Sequence, residues 1–213
     1  MRLDDYLTRW SALHGGVPPR GLVGGWLRVS FLASGPLVAL RLSPNTVTLA
    51  GLLVALLALP PAAGGAHWPL LAALIVVLSA LLDSLDGAVA VQTERVSRGG
   101  AVLDQTCDRI ADLAFVGTLW LAGAPAGWCV AGGALAWLHE QVRSSARAAG
   151  MSEVGIVTVS ERPTRVIVTA AFLLGAGLYP SAASTWAFAG SLGWTALGLA
   201  GLVQLSTVLR RHL

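Results

Sequence analysis

The sequence predicts an all-α integral membrane protein: six transmembrane helices preceded by an N-terminal amphipathic, interfacial segment. Three observations carry that prediction. Of 213 residues, 55% are hydrophobic and 12% are charged, roughly half the charge of a soluble domain. Six apolar stretches approach the roughly 20 residues that a helix needs to cross the hydrocarbon core. The arginines, finally, are divided unevenly among the connections.

The elements follow in order. Leu3, Tyr6, Leu7, Trp10 and Leu13 recur at helical spacing with Arg2, Asp4, Asp5 and Arg9 between them, the pattern of an amphipathic helix lying on a membrane surface. "MRLDDYLTRWSALHGG" has no apolar core and no small-residue cleavage site, so it is not read as a secretory signal. "VSFLASGPLVAL" is apolar but short, flanked by Arg28 and Arg41, and is expected to be a second interfacial segment. A span there would carry Arg2, Arg9 and Arg20 across the membrane. Residues 1–42 are thus expected to form the interfacial segment and residues 43–213 one six-helix membrane domain.

The expected spans are 45–62, 69–91, 102–122, 126–148, 163–180 and 184–208. The connections "PAAGGAH", "GAPA" and "YPSAAS" contain no arginine, whereas the other connections and both ends hold nearly all of it. Cytoplasmic loops carry the arginine excess, which puts both termini and the turn after the second span in the cytoplasm. Trp68, Trp120, Trp128 and Trp186 flank the arginine-free connections, as an aromatic belt at the outer interface would. The net charge of +3 comes with no lysine. It points to anionic lipid surfaces or phosphorylated substrates rather than nucleic acid. Cys107 and Cys129 fall near opposite ends of expected spans and read as small buried hydrophobes, not a disulfide.

The chemistry is concentrated in one turn. Asp83 and Asp86 are three apart at the inner end of the second span, and Asp104 and Asp108 are four apart at the start of the third. Both spacings put side chains on one helix face. Antiparallel neighbours joined by a short polar connection would turn the pairs toward each other. Four adjacent carboxylates at a membrane edge call for counter-charge. Hard divalent cations bound through oxygen supply it, and a Mg²⁺ pair suits phosphate chemistry. The alternative is that the acids pair with Arg95, Arg98 and Arg109 or face water. It suits one aspartate better than four at two matched spacings beside Gly87 and Gly100. Asp112, a turn deeper, reads as structural, paired with Arg109.

Asp83-Ser-Leu-Asp86-Gly87-Ala-Val-Ala90-Val91, then eight residues, then Gly100-Ala-Val-Leu-Asp104-Gln-Thr-Cys-Asp108 resembles the D-x2-D-G-x2-A-R-x8-G-x3-D-x3-D signature of the CDP-alcohol phosphotransferases, membrane enzymes of phospholipid synthesis. "SPNTVTLAGLL" at 43–53 is similar to the opening of that family's first span, and "ARAAGM…GIVTVSERPTR" at 146–165 to the loop before its fifth. The resemblance implies a metal-dependent transfer of a phosphatidyl-type group from a CDP-linked lipid such as CDP-diacylglycerol to a polar alcohol, releasing CMP. It implies Asp83, Asp86, Asp104 and Asp108 as ligands of two Mg²⁺ (or Mn²⁺) ions, with Asp108 also the base. Asn45, Thr46, Gly87, Ala90 and Ser97 are implied at the CDP donor, and the assembly is implied to be a homodimer. The pattern departs at Val91, where the family has an arginine that helps hold CDP. Arg95 or Arg98 could substitute from the same loop, the donor could differ, or the chain is a weakened member that binds nucleotide or lipid without turnover.

Arg143, Arg147, Arg162 and Arg165 gather on the expected inner side. They suit a phosphorylated acceptor such as inositol phosphate or glycerol phosphate, and equally suit inner-face anchors. Glu161 lies four residues from Arg165 and would orient it or sit free in the loop. His139 and Glu140 read as polar structural contacts within the fourth span. A small transporter is a further class, since intramembrane acids line ion paths. Here the acids gather at one face and no inverted repeat is visible.

Overall fold

Leucine, alanine and valine runs broken only by glycine- and proline-rich connections fold as helices, and no strand occurs among the described residues. The computed structural model describes residues 1–13, 16, 18–151 and 157–212, with the side chains of 22, 211 and 212 left aside. His14 and residues 152–156 of the loop before the fifth expected span lie outside the described residues. The helices are α1 (Leu3–Leu13), α2 (Gly21–Ala39), α3 (Pro44–Leu57), α4 (Leu59–Ala63), α5 (Trp68–Gln92), α6 (Arg98–Leu121), α7 (Ala126–Ala148), α8 (Arg162–Leu178) and α9 (Ala183–His212).

Three stretches are long and apolar enough to cross a membrane: Pro44–Ala63, Trp68–Gln92 and Pro180–Arg210. Helices α6, α7 and α8 occupy the other expected spans but are less apolar or shorter. Aspartates 104, 108 and 112 interrupt α6, His139, Glu140 and Arg143 interrupt α7, and α8 has 17 residues. The expected first span is two helices, because Pro60 and Pro61 lack the N–H groups that would continue α3.

The chain divides into two units, residues 1–53 with 78–108, and residues 54–77 with 109–213. In the first, Asp4 and Asp5 occupy the first turn of α1, where the helix dipole favours negative charge. Tyr6 is 1% exposed and packs with Leu27, Ala88 and Val91, joined by Leu3, Leu7, Trp10 and Phe31. Its ring meets Phe31 at a centroid distance of 5.3 Å. The stripe is thus partly covered by α2 and α5: Tyr6 is buried, Leu3, Leu7 and Trp10 are half-buried, and Leu13 stays exposed. Helix α2 closes on a left-handed Arg41 (φ 56°), with Leu42 N–H donating to Leu37 O at 3.1 Å, a capping pattern usually given to glycine. Ser43 then caps α3, accepting from Thr46 N–H at 3.1 Å.

Helices α3 and α5 approach closely at Gly51. A Cβ there would meet Leu82 Cβ at 3.4 Å, and Ser79 Oγ donates to Gly51 O at 2.9 Å. Small residues permit such backbone approach, and this one fixes the register of α3 against the aspartate-bearing end of α5. That end closes on Glu94 (φ 58°), with Arg95 N–H returning to Ala90 O at 2.9 Å. Ser97 caps α6 by accepting from Gly100 N–H at 3.0 Å.

In the second unit, α7 and α9 pack through glycine. A Cβ on Gly132 would fall 2.8 Å from Trp194 Cβ, and one on Gly198 2.7 Å from Leu135 Cβ. Trp194 is 1% exposed, and its indole N–H donates to Thr169 Oγ1 of α8 at 3.0 Å. His67 Nδ1 lies 2.8 Å from Gly177 O, tying the start of α5 to the end of α8. Trp68, Trp120 and Trp128 are exposed, whereas Trp186 stacks on Tyr179. Both cysteines are buried and free, as the sequence predicts.

Candidate metal centre and adjoining cavity

Helical spacing turns Asp83 of α5 and Asp104 and Asp108 of α6 toward one point. One carboxylate oxygen from each lies within 4.8 Å of the others, and all three residues are half-buried. Oxygens around one Mg²⁺ at 2.0–2.1 Å are at most about 4.2 Å apart, so small side-chain adjustments would bring these onto a common ion. The donors are hard, anionic and acceptor-only when ionised, the set that Mg²⁺ and Mn²⁺ prefer. The group can therefore hold a divalent cation.

Asp86 stands outside that group. It is 6% exposed, and its Oδ2 lies 2.5 Å from Thr48 Oγ1 of α3. Thr48 is also 3.1 Å from Pro44 O, but its single proton is better matched by the carboxylate. Thr48 escapes sequence reading because its partner is 38 residues away. The only local hint is its place one turn after Pro44.

A cavity of about 380 Å³ adjoins the acids, and its wall includes Asp86, Asp104, Asn45, Gly87, Ala90 and Ser97. Gly87 is exposed and a Cβ there would meet nothing within 4 Å, so its backbone is open to a ligand. Gly100 is constrained instead: a Cβ would lie 3.0 Å from Ser97 Oγ and 3.3 Å from Asn45 Oδ1. Thr46 is not among the wall residues. Its hydroxyl pairs with Ser43 at 2.8 Å in the α3 cap. Tyr6, Trp10, Val91 and Arg95 also line the cavity.

A family model for CDP-alcohol phosphatidyltransferases matches residues 41–202. The chain belongs to the CDP-alcohol phosphatidyltransferase family. It carries the paired aspartates, Asp83 with Asp86 and Asp104 with Asp108, on α5 and α6. It is 44% identical over 84 residues to the archaetidylinositol phosphate synthase of Aeropyrum pernix, covering 38% of this chain and 40% of that protein. It is 38% identical over 143 residues to the phosphatidylinositol phosphate synthase of Mycolicibacterium smegmatis, 64% of this chain and 62% of that protein. The match thus spans less than two thirds of either relative. The crystal structure of Mycobacterium tuberculosis phosphatidylinositol phosphate synthase with CDP-DAG bound aligns with a TM-score of 0.61 and 30% identity, covering 86% of this chain and 92% of that one. Another structure of that enzyme, in complex with manganese and citrate, aligns at 0.63 and 27%, covering 85% and 87%.

Where the family signature has arginine, this member has Val91, 7% exposed and packed under Tyr6. The arginines expected at an acceptor lie in the second unit, and Arg143 and Arg165 are seen in an ion-pair network. Arg143 is clamped by Glu161 through both terminal nitrogens, one of them at 2.9 Å. Arg165 is 1% exposed, with Nη2 3.2 Å from Asp112 and 3.4 Å from Glu140. Arg109 reaches Asp112 at 3.6 Å, the pairing that the sequence suggests. The expectation for Glu161 is corrected: it orients Arg143, not Arg165. The turn that lets it accept from Thr158 N–H at 2.8 Å directs its carboxylate to α7. Burial pushes that carboxyl's pKa up, but the Arg143 and Thr158 hydrogen bonds outweigh it and hold the pKa below the ordinary value. His139 is fully buried beside Thr158 Oγ1 at 3.0 Å, a structural contact as the sequence suggests. Arg147 is exposed in the last turn of α7, and Arg162 is half-buried at the start of α8.

Proposed function

We propose that this protein transfers a phosphatidyl-type group from CDP-diacylglycerol to the hydroxyl of a phosphorylated polar alcohol, inositol phosphate or glycerol phosphate, and releases CMP. The observation that carries the reading is the convergence of Asp83, Asp104 and Asp108 within 4.8 Å, on the signature positions of a family whose relatives are phosphatidylinositol phosphate and archaetidylinositol phosphate synthases.

The acceptor oxygen forms a bond to the phosphorus that carries the lipid. The bond from that phosphorus to the CMP oxygen breaks, and CMP leaves with the electron pair. Asp108 would accept the hydroxyl proton, a role open to a half-buried carboxylate beside the other two acids. Asp83, Asp86, Asp104 and Asp108 would hold the divalent cations, Mg²⁺ or Mn²⁺. When bound, these neutralise the diphosphate and keep the attacking and leaving oxygens in line. Thr48 orients Asp86 by donating to it. The open backbone at Gly87, with Asn45, Ala90 and Ser97, would admit the CDP moiety, and Thr46 would act through the α3 cap.

Arg143, Arg147, Arg162 and Arg165 are proposed for the acceptor's phosphate. Support comes from Arg165, whose Nε and Nη1 are buried without a hydrogen-bond partner among the described residues. Unsatisfied guanidinium donors favour an anion. The whole is proposed to act as a homodimer in the cell membrane, with residues 1–42 at the inner interface, residues 43–213 as six spans, and the aspartates and both termini on the cytoplasmic side. Cysteine-accessibility labelling of single-cysteine variants tests this topology.

The deciding experiment incubates purified protein with CDP-diacylglycerol, Mg²⁺ or Mn²⁺ and a panel of polar alcohols, and follows CMP release and product lipids by mass spectrometry. Turnover with a phosphorylated alcohol and not with its dephosphorylated form is expected. No CMP release with any acceptor, beside an active relative, would leave the second reading that Val91 favours, a member that binds without turnover.

A further inference from the structure

The family arginine is absent at position 91, yet the cavity beside it still contains a cation. Arg95 is the single arginine among the described residues of its wall, it is exposed, and it makes no ion pair with any described residue. Its position follows from the end of α5. Glu94 takes a left-handed conformation (φ 58°) so that Arg95 N–H can return to Ala90 O at 2.9 Å. This reverses the chain and carries Arg95 back along the helix end. A non-glycine residue in that conformation is strained, and the Glu94 side chain meets Arg9 of α1 in an exposed ion pair at 2.6 Å. The same helix contributes Tyr6, Trp10 and Leu13 to the cavity wall. It is seated by Tyr6 against Val91, Leu27 and Ala88. An arginine at 91 could not serve as that seat without burying a charge in an apolar cluster.

We propose that α1 is part of the nucleotide site: Val91 seats the helix, the docked helix supplies Trp10 as a stacking surface for the base, and Arg95 pairs with the diphosphate in place of the missing arginine. This rests on the CDP-donor reading above and adds a base-side wall and a relocated cation to it. An indole offers a face to any base, a guanidinium pairs with phosphate oxygens two at a time, and both line the one cavity that also contains Asp86 and Asp104.

The test uses the full chain in detergent or nanodiscs. CDP binding is measured calorimetrically with Mn²⁺ present, and CMP release is measured against CDP-diacylglycerol concentration. Arg95→Gln should weaken CDP binding and raise the donor KM by about tenfold or more, with kcat changed by less than about threefold. Trp10→Ala should raise the donor KM about fivefold or more while Trp10→Phe, which keeps a stacking face, stays near wild type. The acceptor KM should not move in any variant. Wild-type-like CDP binding in both Arg95→Gln and Trp10→Ala overturns the inference and leaves the donor reading intact. So does an effect confined to Arg98→Gln. A wild-type protein that neither binds CDP with Mn²⁺ nor releases CMP removes the donor reading and the inference together.

Discussion

Thr48 of α3 donates its hydroxyl proton to Asp86 of α5 across 38 residues of sequence, at 2.5 Å. It thereby fixes one aspartate of the signature while Asp83, Asp104 and Asp108 form a separate triad. Thr48 thus fixes Asp86 from a neighbouring helix, while the other three acids are gathered around a point. Thr48→Val keeps the shape and removes the donor. Leaving a buried carboxylate without that partner costs about 1–3 kcal/mol, a fall in melting temperature of roughly 2–10 °C for a chain of this size. Thermal unfolding in detergent reads this directly.

Asp104→Asn and Asp108→Asn replace anionic carboxylates with neutral amides in the triad. Each is expected to lower CMP release by about a hundredfold or more and to weaken Mn²⁺ binding measured by electron paramagnetic resonance. Chelation of the wild type should abolish turnover, and Mg²⁺ or Mn²⁺ should restore it. Full activity after chelation would contradict the metal assignment.

Val91→Arg recreates the family residue inside the apolar seat of α1. The expected outcome is release of the helix, not a stronger site, because a guanidinium cannot remain against Tyr6 and Leu27 without desolvation. Tryptic cleavage at Arg9 should accelerate on the order of tenfold. Unchanged cleavage with tighter CDP binding would show that α1 tolerates the exchange.

Glu161 has its pKa lowered in the fold by Arg143 and Thr158, against burial. A depressed folded pKa means that the carboxylate stabilises the protein fully above its unfolded value, 4.5. That contribution disappears as the pH falls below this value through the folded pKa. Glu161→Gln should therefore lower stability at pH 7 by about 1–3 kcal/mol and should flatten the loss of stability that the wild type shows on acidification below pH 4.5. Parallel melting curves across pH 3.5–7 for both proteins check it.

Much of this molecule is local and was therefore legible. Spacings of three and four put Asp83 with Asp86 and Asp104 with Asp108 on helix faces whatever else the chain does. Apolar run lengths located the helices, and α7 begins and ends at the expected residues, 126 and 148. Arg109 with Asp112, three residues apart, needed no tertiary information. The partners that lie far along the chain were out of reach. Periodicity marks the apolar stripe of α1 but not the partners of its residues, such as Leu27, Ala88 and Val91 around Tyr6. Glu161 was four residues from one arginine and eighteen from another, and the turn at Thr158 gave it to the distant one, Arg143. Thr48 reached Asp86 because Gly51 lets α3 and α5 close up. Helical periodicity is a property of neighbours in sequence, whereas pairing across helices depends on register and crossing, which are set by where the small residues permit backbones to approach.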